Sequence, residues 1–136
     1  DGHEIIVYKF RTMTVSEDAD SVRQATKGDS RITKVGAILR RYSLDELPQF
    51  INVFLGEMSL VGPRPEMPFI VQDYTIEHRE RLRVKPGITG LWQISPDRDH
   101  PIHENIDYDL YYIYHQSILM DLIILVKTLF FAARGL

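Results

Sequence analysis

The sequence predicts a helix-rich α+β domain with a small mixed sheet and an amphipathic C-terminal helix. Three observations point there. HEIIVYKFRTM alternates weakly and is rich in β-branched and aromatic residues, which suits a strand over about 4–12. ITKVGAILRRY carries apolar residues at 32, 35, 38, 39 and 42, a helical spacing. Residues 107–136 read as mostly helical, with a break near His115 to Ser117. The predicted sheet pairs the first strand with one that follows VKPG.

Length and composition bound the rest. The chain has 136 residues, enough for one domain with a core. It is 44% hydrophobic and 26% charged, as folded proteins are. A net charge of -3 gives no global attraction to nucleic acid, so no nucleic-acid partner is expected. With no cysteine, disulfides and thiolate zinc sites are excluded, which fits a reducing compartment. The histidines show no HExxH-like spacing, and His100 and His103 read as parts of a solvated loop. No signal peptide is visible, and the abrupt DGHEIIVYKF start suggests the middle of a larger protein.

SEDADSVRQATKGDSR is polar and reads as a loop, with room for a short helix over 17–25. Thr33 is placed to cap the helix that follows. In SLDELPQFINVF, Ser43 and Glu46 match a capping box, but a helix starting there puts Pro48 where it removes an early hydrogen bond. A start near Asp45 keeps Pro48 in the first turn, where its missing N–H costs little. That helix ends at Gly56. GEMSLVGPRPEMP is too rich in glycine and proline for regular structure. A helix resumes near Pro68 and runs to about Arg83. Pro86 and Gly87 suit a type II turn, and ITGLWQIS reads as a short strand. PDRDHPIHEN is loop. ILMDLIILVKTLFFAA falls short of a spanning helix because Asp121 and Lys127 interrupt it. Ser117, Asp121, Lys127 and Thr128 form only a narrow polar strip, so this helix suits either core packing or a membrane interface.

Four groups of residues can carry chemistry. Asp45 and Glu46 stand at a helix N-terminus, which stabilises anions and attracts phosphate. An ionised aspartate beside a phosphate can act as a nucleophile, and a divalent ion held by a neighbouring glutamate offsets the repulsion. On the dipeptide alone, an acidic first helical turn is the simpler reading. Lys9 and Arg11 alternate on the predicted strand, and Arg40 and Arg41 precede the carboxylates; each by itself reads as a surface cation. Arg64 sits between Pro63 and Pro65 in GPRPE, on stiff backbone suited to bidentate phosphate contact or to pairing with Glu66 or Asp45. In RLRVKPGITGLWQ, Gly87 and Gly90 permit tight turns and close approach of a ligand. Trp92 fits the core better than a stacking surface.

Taken together and in order, YKFRTM, RRYSLDELPQFINVFLGEMSLVGPRPE, RLRVKPGITGLWQIS and YDLYYI…LMDLIILVKTL resemble the bacterial polyprenyl-phosphate phosphoglycosyl transferases, the monotopic sugar transferases. The likeness spans about Tyr8 to Leu129 and makes residues 1–136 a sugar transferase catalytic domain. It implies transfer of a sugar 1-phosphate from a UDP-sugar to undecaprenyl phosphate, with UMP leaving, at the cytoplasmic face of the bacterial inner membrane. It implies a covalent aspartyl-phosphosugar on Asp45. Glu46, with Asp45, would hold Mg²⁺ or assist proton transfer. Arg40 and Arg64 match the family's phosphate binders, and Lys9 and Arg11 its strand motif near the site. The GLWQIS version resembles the branch transferring hexose phosphates, galactose or glucose, in exopolysaccharide and O-antigen synthesis. After WQIS the family commonly reads Gly-Arg; here Pro96-Asp97-Arg98 makes Arg98 the candidate for that substrate-binding arginine. The family's upstream membrane re-entrant helix has no counterpart in this chain. The fragment is therefore expected to be soluble, and the alternative reading is an inactive nucleotide-sugar or anion-binding piece of such an enzyme. Homo-oligomer formation stays open.

Overall fold

In the computed structural model the described residues are 2–14, 25, 26, 28–101 and 104–135. The helix expected over 17–25 and the residue His103 fall outside this set, the helix except at its last residue. The elements are α1 (Lys34–Arg41), a 3-10 turn (Leu44–Glu46), α2 (Gln49–Phe54), β1 (Ser59–Val61), α3 (Pro68–Val71), α4 (Ile76–Arg79), a second 3-10 turn (Glu80–Arg83), β2 (Gly87–Thr89), α5 (Asp107–Tyr114) and α6 (Ile118–Arg134). The α+β, helix-rich class is the expected one.

The sheet departs from expectation. It has two strands, β1 and β2, which pair in parallel with Ser59 opposite Gly87 and Val61 opposite Thr89, so it is not mixed. β1 lies inside GEMSLVGPRPEMP, the stretch expected to be irregular. Its glycine serves the pairing: a Cβ on Gly62 would stand 2.5 Å from the Lys85 carbonyl oxygen. Likewise a Cβ on Gly90 would stand 2.3 Å from the Gly62 carbonyl oxygen. The close approach that these glycines permit is thus backbone to backbone. Gly87 opens β2 without a positive φ, so the expected type II turn does not form.

Residues 4–12 form no strand. The segment's backbone bonds to other elements instead. Tyr8 N–H donates to Asn52 Oδ1 (3.1 Å), Phe10 N–H to the Asp45 carbonyl (2.9 Å), and Thr33 N–H to the Thr12 carbonyl (3.0 Å). Its β-type pattern reflects an extended chain lying along helices. The antiparallel bridge between Met13 and Ile32 is its one ladder contact among the described residues.

The helical expectations hold at both ends of the chain. Thr33 caps α1 by accepting from Gly36 N–H, and α5 and α6 break between Tyr114 and Ile118, with Ser117 capping α6. In the middle, the helix expected from 68 to 83 is three short pieces. Thr75 ends the first by starting a new capping box with His78.

Among the described residues one small buried apolar cluster joins Val61, Tyr112 and Ile124, with Leu91, Ile94, Ile113, Met120 and Leu125 packed around them, and Met58 and Tyr74 are buried outside it. Much larger apolar area faces outward. On α2 the buried residues are Gln49 and Asn52, whereas Phe50, Ile51 and Phe54 are exposed. On α6, Asp121 accepts from Tyr112 Oη–H (2.7 Å) and Thr128 bonds Thr89 (2.7 Å), while Ile118, Leu119, Leu122, Val126, Leu129 and Phe130 are exposed. α2 therefore turns polar residues inward and apolar residues out, whereas α6 buries Ile124 beside the half-buried Asp121 and Thr128 and leaves most of its other apolar residues outside.

Asn52, 0% exposed, shows why. Its Nδ2 donates to the Ile6 carbonyl (2.7 Å) and to Glu57 Oε2 (2.8 Å), while its Oδ1 accepts from Tyr8. Asn52 ties the N-terminal segment to α2. Asn52→Leu orphans these groups and should cost about 2–4 kcal/mol, read by urea denaturation. An unchanged midpoint would show that the segment is held elsewhere.

Candidate active site

α1 ends and the chain reverses at Ser43, which takes a left-handed conformation (φ 57°, ψ 22°). A serine there is strained, by about 1 kcal/mol, and the strain lets the next turn start at once. That turn is a 3-10 helix, Leu44–Glu46. Pro48 then serves as the N-cap of α2, and the α-helix begins at Gln49. This corrects both expected helix starts: Ser43 makes no side-chain cap, and Asp45 lies inside the 3-10 turn. The dyad therefore projects from a tight turn between two helices.

Three cations converge on it. Lys9 lies between the two anchored residues Tyr8 and Phe10, and its Nζ stands 3.5 Å from Glu46 Oε1. Arg64, flanked by Pro63 and Pro65 just after β1, donates from Nη2 to the same Glu46 oxygen at 3.1 Å. The expected structural alternatives for Arg64, pairing with Glu66 or Asp45, do not occur: Glu66 pairs with Arg81 instead. Arg40, in the last turn of α1, donates from Nε to Thr12 Oγ1 (2.8 Å) and acts on Asp45 through its charge. Gly36 allows this, since a Cβ there would stand 2.0 Å from the Thr12 carbonyl oxygen and would push α1 away.

The two carboxylates are treated unequally. Glu46 is held by Lys9 and Arg64. The Asp45 carboxylate, half-buried, has no ion pair within 4 Å among the described residues. Burial and the neighbouring Glu46 push its pKa above the usual carboxylate value, against the pull of Lys9 and Arg40. The Lys9 ammonium is held below its usual value by loss of hydration and by Arg64, with Glu46 and Asp45 opposing. With Lys9, Arg40 and Arg64 charged against two carboxylates, the cluster has one positive charge in excess, and an anion with a phosphate group suits it.

Two expected site residues are not gathered in. Arg11 is exposed and forms no ion pair with the dyad. Arg98 lies over the Phe131 ring of α6, 5.3 Å from its centroid, and pairs with neither carboxylate. Trp92 is half-buried, and its indole N–H and the Gln93 amide are enclosed without a hydrogen-bond partner among the described residues.

Magnesium was expected on Asp45 and Glu46. Among the described residues, no group of three or more His, Cys, Asp or Glu side chains could hold a metal ion. Asp45 and Glu46 are the adjacent carboxylates that would hold Mg²⁺, an ion that characteristically takes one or two carboxylates and completes its shell with substrate phosphates and water.

The family described as "Bacterial sugar transferase" matches residues 1–135. The chain is 49% identical, over 96% of its length, to a UDP-glucose:undecaprenyl-phosphate glucose-1-phosphate transferase of Klebsiella pneumoniae, and covers 30% of that protein. It is 41% identical, over 94% of its length, to the exopolysaccharide production protein ExoY of Rhizobium meliloti, and covers 57% of that protein. It is 39% identical, over 90% of its length, to a UDP-N-acetylgalactosamine-undecaprenyl-phosphate N-acetylgalactosaminephosphotransferase of Aeromonas hydrophila, of which it covers 30%.

Proposed function

The chain belongs to the bacterial sugar transferase family, and from that premise we propose that it moves a sugar 1-phosphate from a UDP-sugar to undecaprenyl phosphate through a covalent aspartyl-phosphosugar. The observation that carries this reading is the inequality within the dyad. Glu46 is clamped by Lys9 and Arg64, while the Asp45 carboxylate is bound by no ion pair among the described residues and stands beside cations that attract a diphosphate.

In this mechanism Lys9, Arg40 and Arg64 draw the diphosphate against the dyad. An Asp45 carboxylate oxygen attacks the β-phosphorus. The bond from that phosphorus to the bridging oxygen breaks, and UMP leaves with the oxygen and its electron pair. The phosphosugar stays on Asp45 as an acyl phosphate. A phosphate oxygen of the lipid acceptor then attacks the same phosphorus, the Asp45–phosphorus bond breaks, and the carboxylate is restored. Glu46 and Asp45 are the residues that would hold Mg²⁺. The ion would neutralise phosphate charge during both displacements. Arg11 and Arg98 are assigned no step.

The acceptor is a lipid, and the outward apolar residues of α2 and α6 suit contact with a bilayer surface, on the cytoplasmic side of the inner membrane where UDP-sugars are met. No helix among the described residues is long and apolar enough to cross a membrane. The matched relatives differ in their sugars but two share the lipid, so the sugar is the open variable.

Mixing the intact protein with UDP-glucose, UDP-galactose and UDP-N-acetylgalactosamine, followed by intact-mass measurement, should show one phosphosugar adduct, on Asp45. UDP binding without an adduct or UMP release from any donor would favour the anion-binding alternative.

A further inference from the structure

The most deeply buried ionic group lies behind the candidate site. Arg81, in the second 3-10 turn, pairs with Asp109 of α5 (Nε to Oδ2, 2.6 Å) and with Glu66 (Nη1 to Oε2, 2.8 Å). Their side chains are only 3%, 2% and 6% exposed respectively. The Tyr74 hydroxyl accepts from Arg81 Nη1 and donates to Glu66 Oε2. One guanidinium thus joins the 62–66 loop, the α3–α4 connection and α5.

Stability alone is a weak account of such a group, because well-packed apolar residues commonly do as well as a buried ion network. The remaining arm of the guanidinium shows a more specific use. Arg81 Nη2 donates to the carbonyl oxygen of Arg64, at 2.7 Å. The same residue's own guanidinium reaches forward to Glu46 at 3.1 Å. Pro63 and Pro65 stiffen the backbone on either side. Because the Arg81 fork is planar and held by three further groups, the Arg64 carbonyl has one place to be. The backbone origin of the Arg64 side chain is thereby set from behind.

We propose that Arg81, oriented by Asp109, Glu66 and Tyr74, is a positioning residue that acts through Arg64, holding the Arg64 guanidinium where it meets Glu46 and the donor's diphosphate. This rests on the functional reading above. A displacement of about 1 Å in such a group lowers turnover by about a hundredfold, so rigid support has a direct effect on rate.

The test is a double-mutant cycle on the intact protein, read as the dissociation constant for UDP and as the initial rate of UMP release. Arg81→Lys keeps the charge and loses the fork; it should weaken both by about 10- to 100-fold. Tyr74→Phe removes one hydroxyl from the group and leaves no new charge unpaired; it should weaken both by about 3- to 10-fold. In an Arg64→Ala background, both substitutions should lose their effect on UDP affinity. Equal losses with and without Arg64, or no loss in either, would overturn the proposal, since a general folding role does not depend on the Arg64 side chain. Should Arg81→Lys fail to fold by circular dichroism, the Tyr74→Phe arm decides alone. A wild-type protein that releases no UMP and binds no UDP overturns the functional reading and this proposal together, an outcome distinct from additive losses in an active enzyme.

Discussion

Asp45→Asn should abolish UMP release, by about 10³-fold or more, and should leave the folded protein more stable at neutral pH than the wild type. The first effect follows from losing the attacking oxygen's charge while keeping the side chain's size. The second follows from linkage. Burial and the adjacent Glu46 raise the folded-state pKa of Asp45 above its unfolded value. Folding therefore favours the protonated form, and the ionised carboxylate opposes folding wherever pH exceeds the folded pKa. Below the ordinary unfolded value of about 3.9 both states are protonated and the penalty vanishes. The stability advantage of Asp45→Asn should thus appear as pH rises through the window between the two values and persist to neutrality. Urea denaturation at pH 7 and at low pH, beside a UMP-release assay, checks both parts. An Asn variant that still releases UMP at the wild-type rate removes Asp45 from the nucleophile role. One that is less stable at pH 7 removes the electrostatic account of the site.

The double variant Leu122→Glu/Val126→Glu should eliminate association with lipid vesicles while preserving UDP binding. Both residues lie on the outer face of α6 and are 54% and 66% exposed, so they contribute little to the core. The inward side of the helix is untouched, because Ile124 and the bonds made by Asp121 and Thr128 lie elsewhere on its circumference. Each replaced side chain removes about 1.5–3 kcal/mol of transfer free energy from an inserted helix, and each new carboxylate adds repulsion from anionic lipid. Together these lower partitioning by more than about a hundredfold. Flotation with vesicles containing anionic phospholipid measures it. Wild-type flotation by the double variant would show that the outer face of α6 does not meet the bilayer. A variant that loses UDP binding as well would show that the face packs inside the intact protein.

Several features were legible before any tertiary structure. α1 and α6 carry their own start signals in Thr33 and Ser117, and the turn between α5 and α6 falls where the helical pattern lapses. By residue type and proline spacing the Asp45–Glu46 dyad and the stiff Arg64 loop were candidates that the ordered family motifs then singled out, and the structure brings both together with Lys9 and Arg40. Less accessible was the part played by Asn52, which reads as one polar residue in an apolar helix but anchors the segment carrying Lys9. Arg81 was equally silent. It sits in RERLRVK among other cations, and nothing local separates the buried arginine from its exposed neighbours such as Arg83.

Local sequence by itself determined the helices with caps and a strong period, because these depend on neighbours within a turn; the residues expected to attack or bind phosphate were singled out by the ordered family motifs, since side-chain type alone left each with a plain structural reading. Tertiary structure alone decided the strands. β1 and β2 are each Ser59–Val61 and Gly87–Thr89 in length, too short for a periodic signal, and they exist because two distant glycine-bearing segments can approach in parallel. It also decided which way α2 and α6 face. A helical period shows that two faces differ but not which one turns inward. On α2 the polar face does, because Asn52 hydrogen-bonds to groups inside the domain; on α6 the inward side combines Ile124 with Asp121 and Thr128, whose partners come together only once the chain has folded.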